Sequence, residues 1–171
     1  IAPAAAQADI VTFDLDNVWL LPDITRPWEP AQQMTGAFQW IYEEGDFENG
    51  SGQFIQLTTP WYNPGIENLN ITVEPTSVEF SLMGNYHDLG LDLTMFLLDP
   101  FSSDQPAAID LVRSQFEIQR GPIWQGHFVS GSIVPRGISN PSCDFSGDGN
   151  CDIDDIDALI MEIAAMTNDP P

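Results

Sequence analysis

Apolar and polar residues alternate one for one in a series of short stretches between residues 11 and 134, and that period marks the chain as one built from β-strands. Val11, Phe13 and Leu15 fall on one side of an extended backbone, and Thr12, Asp14 and Asp16 on the other. Phe38, Trp40 and Tyr42 repeat the pattern, as do Leu69, Ile71 and Val73, and then Val78, Phe80 and Leu82. Gln53 to Thr58 reads as a further strand, with Phe116-Glu117-Ile118 and His127 to Val134 as the last two. Leu91 to Leu98 is more continuously apolar, which predicts a central strand covered on both faces. Gly45 to Gly52 is a turn cluster, with Asn49-Gly50 the expected hairpin tip. Turn signals recur about every eight to twelve residues, which predicts a mainly β fold, a β-sandwich of jelly-roll or immunoglobulin-like type. One helix is expected from Asp104 to Arg113, with Asp104 as its cap and Pro106 in its first turn.

A second kind of pattern begins after the only convincing linker, residues 135–142. Calcium takes about six to eight oxygen ligands, and an EF-hand loop supplies them from positions 1, 3, 5, 7, 9 and 12 with glycine at 6. Counting from Asp144, the ligands are Asp144, Ser146, Asp148, the Asn150 carbonyl, Asp152 and Asp155, and Gly149 occupies the turn position. Ser146 makes one ligand neutral, and the short arm of Asp155 reaches the ion bidentately less easily than glutamate. Both point to moderate affinity, suited to calcium-rich extracellular water. Ile153, Ile156, Leu159, Ile160, Ile163 and Ala164 then recur at helical spacing, and Asp152, Asp154, Asp155 and Asp157 crowd the start, where the helix dipole favours negative charge. The upstream Pro135-Arg136-Gly137-Ile138-Ser139-Asn140-Pro141 cannot form an entering helix. A calcium loop with an exit helix and no entering helix resembles the first half of a bacterial dockerin repeat, over roughly residues 143–167. That resemblance implies a calcium cofactor and, for a full two-repeat dockerin, a cohesin-like partner.

The only two cysteines, Cys143 and Cys151, flank this loop. A disulfide between them would pre-form the cage, contribute roughly 2–3 kcal/mol and imply an oxidising compartment. A zinc pair would need two more soft ligands, and only His87 and His127 remain, both distant in sequence. Free buried thiols would instead imply a reducing one.

The formal charge is −22, with 4 basic residues, all arginine. Such a surface repels nucleic acid and anionic lipid, and copies can pack closely only through cations or neutral patches. No segment is long and apolar enough to span a bilayer. Ala6-Gln7-Ala8 matches a signal-cleavage site, which would start the mature chain at Asp9. If the tail, residues 1–9, is instead retained and ordered, a neighbouring subunit is a candidate to hold it. The expected domains are this tail, a β-sandwich over 10–134, the linker over 135–142 and the dockerin-like loop and helix over 143–171. Asn17-Val18-Trp19-Leu20-Leu21-Pro22-Asp23 and the turn cluster also resemble secreted bacterial proteins that carry dockerin-type or sorting-signal tails.

Catalytic patterns are weak. His87-Asp88 suggests part of a triad, but no G-x-S-x-G elbow accompanies it. Glu43, Glu44, Asp46 and Glu48 cluster round one turn and read first as a solvated tip, next as a second calcium site. Trp19 and Trp40 fall in strand patterns and are expected in the core, whereas Trp28, Trp61 and Trp124 lie beside prolines and are candidates for a binding or assembly surface. Asn49-Gly50-Ser51 and Asn70-Ile71-Thr72 match the N-glycosylation pattern. The combined expectation is a secreted or cell-surface, non-catalytic, calcium-binding structural protein. It would form homo-oligomers or polymers (a filament, tube or matrix), with its tail adding to a neighbour's sheet. The alternative is a module docking to a cohesin-like protein or a polysaccharide.

Overall fold

The computed structural model describes residues 8–84 and 87–136. The chain divides into two compact units, 1–136 and 137–171. The strands of the first unit are β1 (Ala8–Leu21), β2 (Gln32–Glu43), β3 (Asp46–Thr58), β4 (Leu69–Glu74), β5 (Ser77–Leu82), β6 (Leu89–Phe96), β7 (Ala107–Ala108), β8 (Gln115–Arg120) and β9 (Ile123–Pro135), with one 3-10 turn at Ile66–Asn68. No α-helix occurs among the described residues.

These strands form a single sheet in the order β3-β2-β1-β9-β8-β6-β5-β4, with β7 attached beside β9. Every pairing is antiparallel. Seven pairings therefore separate β3 from β4, so these two also run antiparallel, as closure of an up-and-down barrel requires. They are in contact but share no ladder: a Cβ on Gly52 would stand 2.8 Å from the Ile71 Cβ, so side chains shut the seam where hydrogen bonds do not. The expected two-sheet sandwich is thus replaced by one sheet curled into a nearly closed barrel. A period of two says that one face is buried; it does not say whether a second sheet or the same sheet covers it.

Bulges supply the curl. In β1 the inward residues are Phe13 and Leu15, then Val18 and Leu20, because one extra residue sits between Asp14 and Val18 and Asn17 adopts φ 49°. β9 makes a matching shift between Phe128 and Ile133, and Gly131 adopts φ 142° there. The Ser130 hydroxyl donates to the Asn17 carbonyl at 2.7 Å and ties the two bulges together. Inside the barrel the rings of Phe13, Phe38, Phe47, Phe54, Phe80 and Phe101 form one cluster, with Phe101, from the β6–β7 connection, 4.5 Å from Phe13 between centroids.

Three local expectations change. The hairpin tip is Glu44-Gly45, with Gly45 at φ 83°. Gly50 instead lies inside β3, where a Cβ would meet the Ile41 carbonyl oxygen and the Trp40 indole at 2.6 Å; glycine is needed there for close approach. β6 is not covered on both faces: Leu91, Leu93 and Met95 point in while Asp92 is exposed. The Arg113 guanidinium lies 4.7 Å over the outward Phe96 ring. Finally, Asp104 to Arg113 is not a helix. Ala107 and Ala108 pair with Ile133 and Ser132, Ile109 bridges Leu97, and the Asp110 carboxylate takes the Val112 and Arg113 backbone N–H groups at 3.0 and 3.3 Å. That side chain offers the backbone a turn in place of a helix.

The Arg113 Nε donates to Asp110 at 2.7 Å, and this hydrogen bond leads the lowering of the Asp110 pKa below its usual range. A lowered carboxyl stabilises the fold in full above the ordinary aspartate pKa of about 3.9 and loses that contribution as pH falls through the lowered value. Asp110→Asn should therefore flatten the acid limb of a stability–pH curve, read by thermal melting.

Candidate functional site

The sequence-predicted calcium ligands Asp144, Ser146, Asp148, Asn150, Asp152 and Asp155, the cysteines Cys143 and Cys151, and the helix after them all lie outside the described residues. Within the barrel, Glu43, Glu44, Asp46 and Glu48 are exposed around the β2–β3 tip. Asp46 accepts a hydrogen bond from the Asn49 amide at 2.6 Å. Among the described residues no three His, Cys, Asp or Glu side chains converge as a metal site would require.

Each described histidine meets one aspartate. His87 Nδ1 lies 2.6 Å from Asp88 on a turn where both side chains face solvent. His127 Nδ1 lies 3.0 and 3.1 Å from the two Asp23 oxygens. The second pair follows from sheet register: Leu21 stands opposite His127, and Asp23 comes two residues later as the chain leaves β1. Among the described residues no serine, threonine or cysteine side chain hydrogen-bonds to either ring, so neither pair has a nucleophile positioned beside it.

The best-built surface assembly is aromatic and lies where the β1–β2 connection crosses the start of β9. Thr25 and Arg26 both donate to the Ile123 carbonyl, at 3.1 and 3.2 Å. Ile24 N–H donates to the Gln125 carbonyl at 3.1 Å. Arg26 then lies 4.8 Å over the Trp124 ring. Trp124 stacks on Trp61 at 5.9 Å, and Trp61 stacks on Phe116 at 5.7 Å. Glu29 closes the arrangement, with one oxygen 3.1 Å from Arg26 and the other accepting the Trp124 indole N–H at 2.9 Å. Two of the three loop tryptophans are therefore held within this stack, and Trp28, 74% exposed, alone faces solvent. Trp40 is in the core as expected, its N–H donating to the Phe47 carbonyl at 2.7 Å. Trp19 is half-buried, its indole donating to Asn17 at 3.0 Å. The Arg26–Glu29–Trp124 link was not legible in the sequence, because Glu29 and Trp124 lie 95 residues apart.

Cavities of about 270 Å³ near Tyr62, Asn68, Leu82 and Leu89 and about 350 Å³ near Gly52, Phe54, Ile66, Glu67 and Leu69 open on the described surface, at the lower end of the range of about 300–1,000 Å³ for small-molecule sites. No protein-family model, curated protein or solved structure was found to match this chain.

Proposed function

We propose that this is a secreted or cell-surface calcium-binding protein with a structural, non-catalytic role, whose copies assemble into a filament, tube or matrix. The observation that carries the reading is the calcium loop: six ligand positions, a glycine at the turn and a following apolar stripe agree in register between Asp144 and Ala164. Charge adds to it, since a chain of net −22 resists close packing and bound calcium relieves that repulsion. Strand addition also has a place to occur. β9 pairs with β1 from Phe13 onward, so among the described residues Ala8 to Val11 are paired on the β2 side alone. Electron microscopy of the full chain with calcium and after chelation tests this. Ordered polymers that disperse on chelation are expected, and Asp148→Ala in calcium should behave like the chelated wild type. Dispersed particles in both conditions would overturn the reading.

The exposed Trp28 favours a second reading, a dockerin-type or carbohydrate-binding module that docks to a cohesin-like protein or a polysaccharide. Titration with soluble polysaccharides, followed by tryptophan fluorescence, separates it from the first.

A further inference from the structure

Among the described residues other than glycine, Asn17, Asp88 and Trp61 adopt positive φ. Asparagine and aspartate take that conformation readily, whereas a bulky ring is an outlier there. Trp61, on the β3–β4 connection, has φ 64°, and the Tyr62 N–H donates across it to the Pro60 carbonyl at 2.8 Å. A hydrogen bond between residues two apart around a left-handed centre is the strained form of the γ-turn. The buried Thr59 hydroxyl donates to the Tyr62 carbonyl and holds the turn. The Trp61 side chain is an outlier too. Its indole nitrogen is buried with no hydrogen-bond partner, and no other buried side-chain nitrogen or oxygen among the described residues lacks one, a state that folded proteins rarely accept. Against both costs stands stacking, on Phe116 at 5.7 Å and on Trp124 at 5.9 Å, with interplanar angles of 11° and 9°. The neighbouring seam offers little resistance. β3 and β4 touch without a shared ladder, so parting them breaks no backbone hydrogen bonds between the two strands, and the cavity of about 350 Å³ at Gly52, Phe54, Ile66 and Leu69 lies there.

We infer that Trp61 is a strained, removable plug of the barrel, and that segment 59–68 and the β3–β4 seam open as a unit while the other ladders stay closed. Withdrawal of the ring loses two stacked faces. In exchange the backbone leaves the left-handed region and the indole N–H reaches water. The two sides of that balance are comparable in size, which is the condition for a local opening far more frequent than global unfolding. Opening bares the sides of Phe116 and Trp124 that face Trp61, together with the facing edges of β3 and β4. The plug thus controls access to surfaces that the closed barrel conceals. The device is built from the barrel alone and depends neither on calcium nor on assembly.

Hydrogen exchange of the full chain, followed by nuclear magnetic resonance, tests this. The Trp61 indole N–H should be protected at least about 100-fold less than the backbone N–H groups of the β1–β2 ladder around Phe13 and Phe38. Low urea should speed exchange in that ladder, which waits on global unfolding, and leave Trp61 nearly unchanged. Equal protection, or an equal response to urea, would overturn the inference, because the ring would then leave only when the whole barrel unfolds. Trp61→Gly separates a plug from a piece of the core, since glycine accepts φ 64° without strain and brings no ring. The variant should keep the β1–β2 ladder protected while the Trp124 indole N–H exchanges at least about 10-fold faster than in wild type. Lost ladder protection would make Trp61 part of the core, and an unchanged Trp124 would mean that nothing was uncovered; either result overturns the plug.

Discussion

Phe38→Ala is expected to destabilise the barrel by about 3–5 kcal/mol, the range for deleting a buried phenyl ring whose cavity cannot close. Phe38 is wholly buried, and its ring lies 5.3 Å from Phe13, 6.3 Å from Phe54, 5.6 Å from Phe80 and 6.5 Å from Phe101 between centroids. Those rings come from β1, β3, β5 and the β6–β7 connection, so collapse onto the gap would have to move several parts of the barrel at once. Against a typical total stability of about 5–15 kcal/mol, the loss is large enough to unfold much of the population. Urea denaturation checks it, with Phe38→Leu as a milder control. A loss under about 1 kcal/mol would mean that the aromatic cluster is not the centre of the core.

Gly126→Ala is expected to cost about 3 kcal/mol or more through a clash rather than a cavity. A Cβ at Gly126 would overlap the Leu21 carbonyl oxygen and stand 2.7 Å from Asp23 Oδ1 and 2.8 Å from the Asp23 backbone nitrogen. Much of what it would meet is backbone, which cannot rotate away, and it lies where β9 runs beside the end of β1. Gly121→Ala is the comparison: Gly121 has φ 72° with nothing within 4 Å of the added methyl, so only left-handed backbone strain of about 1–2 kcal/mol is expected. Chemical denaturation of both variants separates steric overlap from strain. Equal losses would show that Leu21 and Gly126 are not in close contact. Because Asp23 holds His127 and begins the loop that carries Trp28, Gly126→Ala should also disturb that surface, whereas Gly121→Ala should not.

Much of the strand content was legible from period-two patterning. Burial on one face is a property of each segment alone, and Phe13, Phe38, Phe80 and Ile118 each declare it locally. The calcium-loop pattern is likewise read locally, since its expected ligand positions share one short stretch, but that stretch lies outside the described residues. The misread segments are those where a local cue has two uses. Asn49-Gly50 is a strong turn signal, yet Gly45 two residues before Phe47 takes the turn and Gly50 serves the approach of Ile41 and Trp40. Asp104 and Pro106 suit the start of a helix, but they also suit a loop that leads Ala107 to the side of β9.

The sequence by itself determined that the chain is β-rich, that it is strongly acidic, and that a calcium-loop pattern follows its linker. Each of these depends on composition or on neighbours within a few residues. The tertiary structure alone decided that one sheet curls until β3 meets β4, because curvature depends on paired bulges in β1 and β9 that lie more than a hundred residues apart. It likewise decided which tryptophans are held and which is free. Trp61 and Trp124 are drawn into a stack by Phe116 and Arg26, and Trp28 is left in solvent because no ring among the described residues meets it.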